Sequence, residues 1–179
     1  MWKTLALLGT VAALAVIVVS WMAARRPDTF SVQRSTFIQA SAERLFPLIN
    51  DARQATTWNP FVRKDPSIQL RYEGPAAGPG AAYAFSGNKD VGKGRVTVTG
   101  GQAPRRVDMT LDMSEPFACH NQIAFTLEPQ GQGTRVTWSM SGAQPFVARL
   151  IGLFMDMDRM VGRDFEAGLD NLKHMAEAS

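Results

Sequence analysis

Phe154, Met157, Val161, Phe165, Leu169, Leu172 and Met175 recur at three- and four-residue steps through the end of the chain. At 3.6 residues per turn, that spacing lays them along one face of a single long amphipathic helix. A helix with one apolar face needs an apolar partner surface, and the stretch before it supplies one. Between Arg106 and Met113, the residues Val107, Met109, Leu111 and Met113 point one way, while Arg106, Asp108, Thr110 and Asp112 point the other. Ile123, Phe125 and Leu127 alternate with Gln122, Ala124 and Thr126, and Val136, Trp138 and Met140 alternate with Arg135, Thr137 and Ser139. Alternation of this kind belongs to an antiparallel sheet with one wet face and one covered face. Only the last helix is long enough to be the cover.

The remaining segments fit the same plan. Phe30 to Gln39 reads as a strand. Ser41 reads as the N-cap of a short helix over Ala42 to Ile49, with Pro47 inside it. Asp51 to Thr57 reads as a second short helix or turn, ended at Trp58-Asn59-Pro60-Phe61, because the residue before a proline disfavours the α region. Ile68–Tyr72, Ala81–Phe85 and Gly94–Thr99 read as strands, separated by a Gly/Pro/Ala loop from Gly74 to Gly80, a turn over Ser86–Asp90 and a turn over Gly100–Pro104. Pro145 reads as the first turn of a helix and Gly152 as the break before the long one.

At the other end, Thr4 to Ala24 contains no charged residue. As a helix it would span about 32 Å, close to the roughly 30 Å hydrocarbon core of a bilayer. The charged region before it is short, the apolar run is long for a signal peptide, and Trp21-Met22-Ala23-Ala24-Arg25-Arg26 lacks a clean small-x-small cleavage site. The expectation is an uncleaved single-pass anchor over residues 1–26, touching the lipid bilayer through residues 4–24, followed by one domain over residues 27–179. Lys3 flanks one side and Arg25 with Arg26 the other, which leans slightly toward a cytoplasmic domain.

Of the 19 basic residues only Lys3 precedes residue 25, so the domain carries 18 against 16 acidic ones. That balance, with no basic run longer than two or three residues, excludes a nucleic-acid stripe. The single cysteine, Cys119, excludes an intrachain disulfide. Cys119 and His120 are neighbours on a strand and face opposite ways, so they form no dyad. No Gly-x-Ser-x-Gly, His-Glu-x-x-His or Cys-x-x-Cys occurs, and the Gly74–Gly80 loop has no helix after it to make a phosphate cradle. No metal or cofactor is expected. Asp156, Asp158, Asp164 and Glu166 are the acidic candidates on the last helix, with Asp158 expected to face water. Gly162 and Gly168 weaken that helix by about 1 kcal/mol each relative to alanine. They either let the sheet approach closely or leave room for a ligand.

The order of strand, two small helices, six strands and a long helix resembles the START-like helix-grip superfamily. Within it the chain is most similar to the polyketide cyclase/dehydrase and lipid-transport type (SRPBCC). The stretches that carry the resemblance are Arg34–Phe46, Trp58–Phe61, Tyr72–Gly74, Tyr83–Asn88 with Val91-Gly92, Gly133–Trp138 and Gly162–Leu172. The resemblance implies an α+β fold: a curved seven-stranded antiparallel sheet wrapped on the C-terminal helix, with a cavity between them. Such cavities hold lipids, sterols, polyketides or hormones, and in a few relatives they catalyse, so the fold alone does not assign a reaction.

Alternation and the helix stripe name the residues expected to line that cavity. Trp58 and Phe61 come from the early loop. Tyr83, Phe85, Met109, Leu111, Ile123, Phe125, Trp138 and Met140 come from the strands. Phe154, Met157, Val161 and Phe165 come from the last helix. The expected function is membrane-anchored binding of a small hydrophobic ligand, such as a lipid, isoprenoid or polyketide-like compound. The reading leans away from catalysis. Two alternatives stay open: a cyclase/dehydrase-type enzyme using a cavity carboxylate or tyrosine, and a scaffold whose core is filled by its own side chains.

Overall fold

The structure is a computed structural model, which describes the backbone of residues 2–178 and, within the first helix, the side chains of residue 8 and of residues 13 onward. Helix α1, Trp2–Ala24, leads into strand β1, Thr29–Ile38. Three short helices follow: α2 (Ala42–Asn50), α3 (Ala52–Trp58) and α4 (Pro60–Arg63). Strands β2 (Gln69–Glu73), β3 (Ala82–Ser86), β4 (Lys93–Gln102), β5 (Arg106–Glu115), β6 (Cys119–Gln130) and β7 (Gly133–Ala143) run next. Helix α5 (Phe146–Ile151) and the long α6 (Met157–Glu177) close the chain.

The caps explain where the short helices start. Ser41 Oγ accepts from Arg44 N, Asp51 Oδ1 accepts from Arg53 N and Gln54 N, and Asn59 Oδ1 accepts from Phe61 N. The one-turn α4 was not anticipated. Pro60 takes its first position, where a missing N–H costs nothing. Boundaries also differ from expectation, β4 running on to Gln102 through the first residues of the turn expected over Gly100–Pro104. Pro145 is the cap of α5, not its first helical residue. The long helix begins at Met157, because Asp156 Oδ1 accepts from Arg159 N and fixes the start there.

All seven strands form one antiparallel sheet in the order β1-β7-β6-β5-β4-β3-β2. The first strand in the chain thus pairs with the last, with Thr29 opposite Ala143 and Ile38 opposite Thr134. Irregularities in the β4–β5 register at Lys93/Gly94 and Val98/Gly100 bend the sheet, as bulges do. Helix α6 lies in the concave face. Phe165, Leu169, Leu172 and Ala176 are buried there with Ile38, Leu45, Ile49, Leu127 and Val136.

Arg34, on the inward side of β1, grips the start of α6 through Nη2 to Asp158 Oδ2 at 2.9 Å and Nε to Glu166 Oε1 at 2.8 Å. Asp158 is therefore half of an ion pair as well as solvent-exposed. Lys64 pairs with Asp164 at 2.7 Å and ties the end of α4 to the same helix. The two helix glycines serve close approach. A Cβ on Gly162 would run into the Arg34 guanidinium, and one on Gly168 would lie 2.7 Å from Trp138 Cζ3 and 2.8 Å from Pro60 Cδ.

Helix α1 covers the apolar segment expected to cross a bilayer. Among the described residues no helix is long and apolar enough to do so, and residues 4–7 and 9–12 of that segment lie outside the described side chains. Its C-terminal end is tied to the domain. Arg26 Nη1 donates to Gly152 O at 2.6 Å, and Arg149 Nη1 donates to Ala24 O at 3.4 Å and to Arg26 O at 3.2 Å.

Candidate functional site: a cavity under the sheet

Between the sheet, helices α3 and α4, and the first half of α6 lies a cavity of about 370 Å³. Its inner end is aromatic. Trp138 stacks on Phe165, with ring centroids 4.1 Å apart and planes 6° from parallel. Trp58 stands edge-on to both Trp138 and Phe125, each 5.8 Å away. The Trp58 ring is fixed by donation from Nε1 to Leu48 O at 2.9 Å, and its own carbonyl accepts from Asn171 Nδ2 on α6. These bonds hold the indole upright as the wall between the solid core and the open space.

The sheet supplies the roof. Tyr83, Val96 and Leu111 lie in register across β3, β4 and β5, and Met109, Ile123 and Met140 across β5, β6 and β7. Phe61 and Phe85 close the sides, and Met157 and Val161 line it from α6. Thirteen of the residues expected from sequence thus meet around one space.

Phe154 does not. It sits in the turn between α5 and α6, 79 % exposed, because the Asp156 cap starts the helix after it. The three-residue step from Phe154 to Met157 fits a helix that does not extend that far.

Sequence reasoning missed Ala55, Asn59, Val62, Ile68, Lys89, Asp90, Val91, Val96, Met113 and Pro116 on the lining. Met113 carried a signal, since it shares the inward row of Val107, Met109 and Leu111. Asn59 carried another as a capping residue. Its Nδ2 donates to Tyr83 Oη at 3.0 Å, giving the cavity wall a polar pair of half-buried Asn59 and buried Tyr83. Burial pushes the Tyr83 phenol well above its ordinary range, with the Asn59 hydrogen bond working against that shift. Tyr83 therefore stays protonated at physiological pH and offers a hydrogen bond, not a phenolate.

The charged groups on the lining, Lys89 and Asp90, are both exposed at the rim in the β3–β4 turn. The buried carboxylate, Asp65, lies outside the lining. It accepts from Ser67 Oγ at 2.7 Å, Ser67 N at 2.9 Å and Asn88 N at 2.7 Å, and these bonds hold its carboxyl below the usual range. It latches the β3–β4 turn to the loop before β2. His120 pairs with Asp112 across β5 and β6 on the exposed face, and Cys119 and His174 are also exposed. Among the described residues no group of three or more His, Cys, Asp or Glu side chains could hold a metal.

The fold recurs in solved structures. A protein from Chromobacterium violaceum is 16 % identical, with 85 % of this chain and 99 % of that one covered at a TM-score of 0.59. The Aha1 dimer from Colwellia psychrerythraea is 18 % identical over 83 % of this chain and 96 % of that one, at 0.58. A protein from Rhizobium leguminosarum is 13 % identical over 84 % and 96 %, at 0.61. At such identities the likeness concerns the fold. No curated protein matches the chain. Residues 29–177, from the first strand to the end of α6, match the family described as polyketide cyclase / dehydrase and lipid transport, and with its seven-stranded sheet closed on one long helix the chain belongs to that family, within the START-like helix-grip superfamily.

Proposed function

We propose that this protein is a membrane-anchored carrier or sensor that holds a small hydrophobic ligand, such as a lipid, isoprenoid or polyketide-like molecule, between the sheet and α6. The observation that carries this reading is the cavity itself, about 370 Å³ and lined almost wholly by apolar side chains. Ligand sites run from roughly 300 to 1,000 Å³ and combine apolar walls with a few polar groups that orient the ligand. The Asn59–Tyr83 pair is such a group, suited to an oxygen-bearing end of an otherwise apolar molecule. The family description, which names lipid transport, supports the same class. On this reading residues 1–26 anchor a domain of residues 27–179, and the apolar run of α1 keeps the binder beside a lipid source, with the domain on the cytoplasmic side.

Native mass spectrometry of the full chain, extracted from its host in mild detergent, tests it. The expected result is a bound mass that releases an apolar compound on activation. An empty protein that takes up nothing from a mixed lipid extract would overturn the reading.

The second reading is a cyclase-type enzyme with Tyr83 handling the proton, favoured by the position of its hydroxyl on the cavity wall beside Asn59. Tyr83→Phe separates the two: it would abolish turnover in an enzyme and only weaken binding in a carrier. The cavity, being open, argues against a scaffold with a filled core.

A further inference from the structure

The end of the sheet where the cavity opens carries an apolar surface with no protein cover. Thr29 and Ala143 are paired at that end, so α1 arrives there and α5 departs from there. Phe146, Val147 and Ile151 of α5, and Phe154, Met155 and Met160 of the turn and first coil of α6, are all exposed, Val147 and Phe154 the most. On the other side of the cavity rim, Phe117 in the β5–β6 turn is 77 % exposed, next to Pro116 on the lining. Large apolar side chains gathered on one surface mark an interaction site, because folding alone gains nothing from showing them to water.

We infer that this end of the domain docks on the surface of a lipid bilayer, with the side chains of α5 and the following turn seated among the headgroups and acyl-chain ends. The geometry selects a bilayer over a protein partner. The last turn of α1 is tied to α5 by Arg149 and to Gly152 by Arg26, so the apolar helix ends on the apolar surface and the two are continuous. Trp21 is exposed in that last turn, with the Arg25 guanidinium 4.1 Å over its ring, a pairing suited to the polar edge of a membrane. Arg25, Arg26, Lys89 and Arg159 stand exposed around the same end, against Asp28, Asp90 and Asp156. That near balance makes apolar insertion the main attraction, with a weak preference for anionic lipid.

Met157 joins the two functions. It lines the cavity and also the outer groove formed by the α5–α6 turn and β1. A surface seated this way opens the cavity mouth onto the bilayer, so an apolar ligand passes from lipid to protein without crossing water. The inference deepens the proposed function and rests on its reading of α1 and of the cavity.

The test uses the full chain with Cys119→Ser, in nanodiscs of mixed phosphatidylcholine and phosphatidylglycerol, with a bimane fluorophore on single cysteines. Val147→Cys and Phe154→Cys report the docking surface. Leu14→Cys reports α1, and Glu128→Cys, exposed at the far end of β6, reports the closed end. Nitroxide lipids quench by depth. Quenching several-fold stronger at 147 and 154 than at 128, with headgroup-depth nitroxides the most effective, is the expected result. Equal quenching at 147, 154 and 128 overturns the docking. Position 14 is read separately: deep quenching there alone leaves the anchor standing while the docking falls, and quenching at 147 and 154 alone leaves the docking standing while the anchor falls.

Discussion

The two halves of α6 face the same sheet and are held to it by different physics. The C-terminal half buries Leu169, Leu172 and Ala176 against β1, β7 and the short helices, with Phe165 at the boundary between this core and the cavity. The N-terminal half places Met157 and Val161 over an open cavity and is tethered from outside by Arg34 and Lys64. Close packing stabilises through apolar burial, about 1.5–3 kcal/mol for each fully buried large side chain. Surface ion pairs contribute far less and adjust easily. Stability is therefore concentrated at one end of the helix and room for a ligand at the other. The same fold can be rigid and accommodating because the two demands fall on different turns.

The largest expected effect is at the closed end. Leu172→Ala leaves a void in a region with no slack and should cost about 2–5 kcal/mol in chemical denaturation. Leu111→Ala only enlarges an existing space and should cost much less. Equal losses would mean that the two ends do not differ.

Next comes steric crowding. Gly168→Ala drives a methyl into Trp138 and Pro60, and should cost about 1–3 kcal/mol even though alanine is the better helix former. Val161→Phe adds far more volume but adds it to the cavity. It should change stability by less than about 1 kcal/mol and abolish the bound mass in native mass spectrometry. A Val161→Phe protein that still carries ligand would place the ligand elsewhere.

Much of this contrast could not be read from sequence. Alternation identified the inward rows, because a two-residue period follows directly from strand geometry. A cap identified the helix start at Ser41, while Asp51, read as the first residue of the next helix or turn, is in fact its cap. Val107 and Leu111, however, are equivalent by pattern: both are apolar, inward and on β5. Val107 is fully buried in the core, while Leu111 lines open space. The difference comes from what lies opposite each, a matter of where α2, α3 and α6 sit and not of the strand's own residues. Phe154 failed for a related reason. Periodicity does not mark where a helix starts, and Asp156, the residue that does, was read as a candidate acid and not as a cap. The one-turn α4 was too short to show a period at all, so the Asn59–Tyr83 pair that it positions was also missed.

The smallest expected effect concerns the tether. Asp158 is held below the usual carboxylate range by its hydrogen bond and ion pair with Arg34, with desolvation opposing that shift. A carboxylate lowered on folding contributes stability that is fully present above its unfolded value, about 4, and is lost as pH falls through the lower folded value. Arg34→Met removes the partner. The variant should melt slightly below the parent near neutral pH, and the two curves should converge as the pH falls through the lowered value that Asp158 has in the folded parent. Asp65 keeps its hydrogen bonds from Ser67 and Asn88 in either protein, so its share of the acid sensitivity cancels in the comparison. A gap in melting temperature that stayed constant from neutral pH into strong acid would assign the role of Arg34 to packing against Gly162 instead of charge. The ligand end of α6 would then be held by contact, as the closed end is, and the division between the two halves would rest on the cavity alone.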